Sequence, residues 1–211
     1  MIDLGLVTAR RGEPTRIANE IYQEVIPREL TSPLEGVFDG LVPRCAYVMA
    51  DGRLDFRGML EGFQQFCRES LDLLGDGPVY GEATPQLVLQ SWLQRVVNGG
   101  GQIYREYALG AGRSDILVRY YHVAAGRRVE QRFVGEIKKV RSRRSVDTTI
   151  REGLAQTAMY ADRCNPEEAH LVVIDPRERS WDEKIYVKEC VGVVEKGGRA
   201  GKEWPITVWG M

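Results

Sequence analysis

The chain has 211 residues, and 29 Lys and Arg against 30 Asp and Glu leave a formal net charge of −1, so no global basic field announces nucleic acid and any such contact must come from a local patch. Four scattered cysteines (Cys45, Cys67, Cys164 and Cys190) and two histidines (His122 and His170) offer no Cys-x-x-Cys pair, which argues against zinc and for free thiols in a reducing compartment. The N-terminus carries Asp3, Arg10, Arg11 and Glu13 rather than a signal peptide, and no apolar run is long enough for a bilayer, so a cytoplasmic location and no membrane partner are expected.

The length suits one sizeable core plus a small extra module. In chain order, Leu4 to Val7 and Thr15 to Ala18 read as short strands, with Arg11-Gly12-Glu13 able to turn a hairpin. Asn19 is placed to cap a helix through Val25, which Pro27 ends. A hairpin and one short helix cannot bury a core of their own. Residues 1–40 therefore read as a separate small module whose apolar faces lack a partner within the segment, which allows a homodimer.

Residues 41–78 read as a linking strand and helix: Ala46 to Met49, a turn at Asp51-Gly52, then a helix from Phe56 to about Leu74 capped by Asp55. Its apolar positions, among them Phe56, Met59, Leu60, Phe63, Phe66 and Cys67, recur at threes and fours, which suits one buried face. Residues 79–211 carry the main domain. Thr84-Pro85 opens a helix whose stripe is Leu89, Trp92, Leu93, Val96 and Val97, closed by Asn98-Gly99-Gly100-Gly101.

Three strands are expected next: Gln102 to Leu109, Ser114 to His122 and Val129 to Val140. The gaps between them, at Gly110-Ala111-Gly112 and Ala125-Gly126-Arg127, are short enough for antiparallel hairpins. Asp147 to Arg163 reads as a helix with Asp147 as N-cap, and His170 to Ile174 as a buried strand. Trp181 to Val187 and Ile206 to Trp209 are further short elements.

Within this order lies one chemical constellation. Glu136 and Lys138 are two apart on a strand and share a face, while Phe133 and Ile137 share the other. A hairpin would bring Asp115 alongside. Two carboxylates converging beside a lysine suit metal-assisted phosphodiester hydrolysis. The carboxylates hold a hard cation through oxygen, the cation activates phosphate and water, and the lysine offsets developing charge. Gln156 and Tyr160 lie about one helical turn apart on a helix able to pack near them.

The order of elements, with Gly112-Arg113-Ser114-Asp115, Glu136-Ile137-Lys138 and Gln156-x-x-x-Tyr160, resembles the PD-(D/E)XK nuclease superfamily and its RecB-like branch. The likeness covers roughly Glu82 to Asp175. It implies an α/β restriction-endonuclease-like core, a mixed central sheet flanked by helices. It implies a metal-dependent nuclease acting on DNA, with Mg²⁺ or Mn²⁺ as cofactor. Asp115 and Glu136 would be metal ligands together with the Ile137 carbonyl, Lys138 the catalytic lysine and Gln156 an auxiliary group. The superfamily often carries another acidic residue, for which Glu82 and Glu106 are both candidates, and Tyr160 would approach the nucleic-acid backbone.

The first thirty residues resemble the last wing and helix of a winged-helix segment that follows AAA-type ATPase domains in some bacterial proteins. An ATPase-containing partner or parent protein is therefore expected. No phosphate-binding loop is present: in Gly197-Gly198-Arg199-Ala200-Gly201-Lys202-Glu203, Glu203 stands where a metal-binding hydroxyl belongs. The basic residues Arg113, Lys139, Arg141, Arg143 and Arg144 are candidates for phosphate contact. The stretch from Lys138 to Arg151 has no aromatic residue to stack on bases. The alternative is a catalytically silent module of the same fold that binds nucleic acid or a protein partner.

Overall fold

The computed structural model describes residues 7–8, 16–17, 46–70, 84–97, 100–109, 112–194 and 201–211. At 7–8, 16–17, 70, 84–87, 95–96, 105–109 and 112–115 it describes the backbone alone. Strand β1 (Val7–Thr8) pairs antiparallel with β2 (Arg16–Ile17), as the N-terminal hairpin pattern predicts. The helix expected at 19–25 and the linker at 31–40 lie outside the described residues.

The strand expected at 46–49 is a single antiparallel bridge between Val48 and Leu54. Gly52 at φ +84° makes the turn between them, in the left-handed region that glycine enters without a side-chain clash. Helix α1 (Phe56–Ser70) starts where expected, because the Asp55 carboxylate accepts from the Gly58 amide at 2.8 Å. Helix α2 (Thr84–Val97) follows.

The remaining strands form one mixed sheet. They are β3 (Gly101–Leu109), β4 (Gly112–Ala124), β5 (Arg127–Lys139), β6 (Glu168–Ile174), β7 (Tyr186–Val193) and β8 (Glu203–Gly210), in the order β3-β4-β5-β6-β8-β7. The first three are antiparallel neighbours, β6 is parallel to both β5 and β8, and β7 returns antiparallel on the edge. The β4–β5 turn is the two residues Ala125 (φ +49°) and Gly126 (φ +74°), and positive φ at both positions matches the twist of the flanking strands.

Between β5 and β6 the chain crosses over through α3 (Val146–Cys164). Its N-cap is Ser145, whose hydroxyl accepts from the Thr148 amide at 3.1 Å, and not Asp147 as the sequence pattern suggests. Asp147 falls instead in the first turn, where its charge meets the positive end of the helix. Asn165, at φ +45°, ends the helix. The segment expected to run from Trp181 to Val187 as one element divides into a single helical turn, α4 (Trp181–Lys184), and the start of β7.

Strand alternation divides the apolar residues between two layers. One face, with Phe133, Val172 and Trp209, packs on α1 and α2 through Phe56, Met59, Phe63 and Trp92. The 41–78 segment thus contributes α1 to the same core as the sheet. Phe56 stacks on Phe133 with ring centroids 4.6 Å apart. The other face presents Leu171, Val173, Ile206 and Val208 to Ile150, Ala158 and Ala161 of α3, and Leu117 and Val134 to its Tyr160 and Cys164. The molecule is an α/β layered fold, a six-stranded mixed sheet with helices on both faces.

Candidate active site

Glu136 and Lys138 emerge on the α3 side of β5. The register sets this: Glu136 pairs with Leu171 and Lys138 with Val173, and both partners face α3. The Glu136 side chain is only 2% exposed, while Lys138 reaches the surface and returns its ammonium to the carboxylate, Nζ to Oε1 at 2.5 Å. A buried carboxylate is expensive without a partner, so this pair is the charge centre of the face. Ile137 points the other way and packs against the α1–α2 cluster.

Asp115 stands beside this pair in the backbone. Ile116 pairs with Gly135, so one further step along the antiparallel register sets Asp115 across from Glu136. On the other side, Arg105 pairs with Ile116 and Tyr107 with Ser114, which leaves Glu106 across from Asp115. The three acidic positions therefore form one row over β3, β4 and β5. The side chains of Glu106, Arg113 and Asp115 are outside the described residues, as is Glu82 altogether.

Helix α3 crosses the sheet at this row. Gly153 is the contact point: a Cβ there would lie 2.5 Å from a methyl of Leu171, the residue that pairs with Glu136. Tyr160 is 3% exposed and packs with Leu117 and Val134, each two residues along its strand from Asp115 and Glu136. Stepping back one turn of about 5.4 Å along α3, against two strand residues of about 6.7 Å, brings Gln156 towards the carboxylate row. Gln156 is part-exposed.

The exposed basic residues Lys139, Arg141 and Arg143 lie where β5 leaves the sheet and turns towards α3. Arg144 is engaged with Glu152. Beyond Val173 the same face opens into a cavity of about 220 Å³ between Asp147, Asp175, Lys184, Tyr186 and Lys188. Arg177 holds Asp175 through two contacts of 2.7 and 2.5 Å and lowers its pKa below the ordinary carboxylate range. Burial pushes the Tyr186 hydroxyl up to about 12.

A second polar group on this face was not evident in the sequence. Glu130 is bound by Arg119 and, at 2.8 Å, by Arg132, which hold its carboxyl down to about 2. Tyr121 lies beside them under the guanidinium of Arg128, 4.0 Å from the ring centroid. The alternation Arg119-x-Tyr121 on β4 and Arg128-x-Glu130-x-Arg132 on β5 is the signal that could have found it.

Among the described residues no helix is long and apolar enough to cross a membrane. Comparison of the chain with protein-family models, with curated proteins and with solved structures gave no match.

Proposed function

We propose that the chain is a metal-dependent nuclease of the PD-(D/E)XK type that hydrolyses DNA phosphodiester bonds. The single observation that carries the reading is the buried Glu136 carboxylate, bonded to Lys138 on the face that α3 crosses, one strand from the register position of Asp115. Chemistry also supports the fit of a divalent cation: Asp115, Glu136 and the Ile137 carbonyl offer only hard oxygen donors, which suits Mg²⁺ or Mn²⁺. Such an ion supplies Lewis acidity to the phosphate and to the attacking water.

The chain's own groups take the other roles. Glu136 and Asp115 hold the cation, and Lys138 places a positive charge where negative charge grows on the phosphate. Gln156 hydrogen-bonds the phosphate or the water, and Glu106 is the supplementary acid that lies in the row. Lys139, Arg141 and Arg143 take the flanking phosphates. The N-terminal hairpin fits a winged-helix remnant tied to an ATPase-containing partner or parent.

A second reading draws on the same ion pair. Lys138 already neutralises Glu136, as it would in a catalytically silent module that binds nucleic acid or protein. The deciding experiment is nicking of supercoiled plasmid with Mg²⁺ or Mn²⁺ by the parent, Asp115→Ala and Lys138→Ala. The nuclease reading expects cleavage by the parent and none by either variant. No cleavage on plasmid or single-stranded circles with either metal moves the assignment to the silent module.

A further inference from the structure

The face that carries Glu136 continues past the end of α3. The Arg132 guanidinium donates to the Cys164 carbonyl at 3.3 Å, so the helix stops at the level of Arg132. The rows beyond it on β3, β4 and β5 have no helix over them among the described residues. Register orders them: Gln102, Arg119 and Arg132 form one row, Tyr121 and Glu130 the next, Val123 and Arg128 the last. Among the described residues the patch carries three guanidiniums, those of Arg119, Arg128 and Arg132, against the one carboxylate of Glu130. In a chain of net charge −1, this is a local basic surface, not a sample of a global field.

Its aromatic content distinguishes it from the basic turn after β5. The Arg128 guanidinium carbon stands 4.0 Å from the Tyr121 ring centroid, and that of Arg119 stands 6.0 Å from the same ring. An open cleft of about 470 Å³ is lined by Gly100, Gly101 and Gln102 on one side and Tyr121, His122 and Arg128 on the other. A planar cation and a phenol ring beside a shallow cleft suit a flat, polar aromatic group followed by a phosphate. Duplex bases do not expose their faces, whereas single-stranded bases do. Tyr121 lies six residues from Asp115 on β4, about 20 Å at the rise of a strand, so a strand held here could extend to the carboxylates.

We propose that the Tyr121–Arg128 cleft anchors single-stranded DNA, stacking a base near Tyr121 and pairing Arg128 with a phosphate. The proposal names the substrate class of the nuclease reading and rests on it for its purpose, but not for its test. Binding is read by fluorescence anisotropy of labelled oligothymidylate and of a blunt duplex of equal length, in EDTA, where no cleavage can occur. The parent should prefer the single strand by about tenfold or more. Tyr121→Ala should weaken that binding about tenfold, in the range expected for one stacked base, and Tyr121→Trp should restore it. Arg128→Ala should weaken it and reduce the slope of affinity against salt by about one phosphate.

Circular dichroism of each variant confirms that it is folded. Equal affinity of folded Tyr121→Ala and parent, or equal affinity of the parent for duplex and single strand, overturns the anchor. Binding that depends on Tyr121, in a protein that cleaves nothing with either metal, removes the nuclease reading and leaves the anchor standing. Cleavage of single strands, with binding indifferent to both substitutions, does the reverse.

Discussion

Replacing Lys138 by methionine tests the charge centre of the face. The substitution keeps an unbranched chain of similar length and removes only the ammonium that lies 2.5 Å from Glu136. It leaves a carboxylate that is 2% exposed. Removing one partner of a buried pair costs about 3–5 kcal/mol, mostly through the buried charge that loses its counter-charge. Lys138 is itself 24% exposed, so water can take over part of its role and about 2–3 kcal/mol is the expected loss. Lys138→Met with Glu136→Gln removes that buried negative charge as well. The pair should then be less destabilised than the sum of the singles, with a coupling of about 1–3 kcal/mol. Urea denaturation reads this as shifts in midpoint at constant slope. Mg²⁺ at millimolar concentration should recover stability in Lys138→Met but not in the double variant, because a cation that binds only the folded state raises its stability by mass action. Additivity within about 0.5 kcal/mol, together with no effect of Mg²⁺ on the single variant, would show that Glu136 and Lys138 are not energetically coupled and that Glu136 holds no cation.

Other outcomes follow from the packing and titration of the same elements. Gly153→Ala places a methyl 2.5–2.6 Å from the methyls of the fully buried Leu171, so overpacking of about 1–3 kcal/mol should exceed the roughly 1 kcal/mol gain in helix propensity; a variant more stable than the parent in urea would contradict the close approach. The Glu130 carboxyl, held down to about 2 by Arg119 and then Arg132, binds its proton less readily folded than unfolded. Its contribution is therefore present above the ordinary carboxylate pKa of about 4.3 and is lost as pH falls from there towards 2. Solvent screening limits it to about 1–2 kcal/mol, and the pH dependence of thermal unfolding should flatten over that window in Glu130→Gln. Burial raises the thiols of Cys67 and Cys164 to about 12 and 11, so neither should react with a disulfide reagent at pH 8 until the protein unfolds; fast labelling of Cys67→Ser at Cys164 would contradict this.

The elements most legible in the sequence are those whose signals are local. Asp55 ahead of Phe56 fixes the start of α1, and the Ala125-Gly126 pair fixes the β4–β5 turn. The two-residue alternation put Glu136 and Lys138 on one face, and their ion pair follows from that. The N-cap of α3 falls at Ser145 and not at Asp147: both are good capping residues two positions apart, and only the hydroxyl contact to Thr148 separates them. Contacts that depend on register were not legible. Gly153 reads as a weak helical residue until Leu171 is seen beneath it. Arg119, Glu130 and Arg132 lie on two strands and meet only because Arg119 pairs with Arg132. The row of Glu106, Asp115 and Glu136 needed both hairpin registers at once.

A nuclease of the proposed kind needs Asp115 and Glu136 to act as one cation site. Calorimetric titration of Mn²⁺ into the purified protein tests it directly, against Asp115→Ala and Glu136→Ala of confirmed fold. Mn²⁺ should bind the parent saturably, either substitution should abolish that binding, and an excess of Mg²⁺ should displace it. Binding that survives both substitutions unchanged, or a parent that takes up no Mn²⁺ at millimolar concentration, would contradict it.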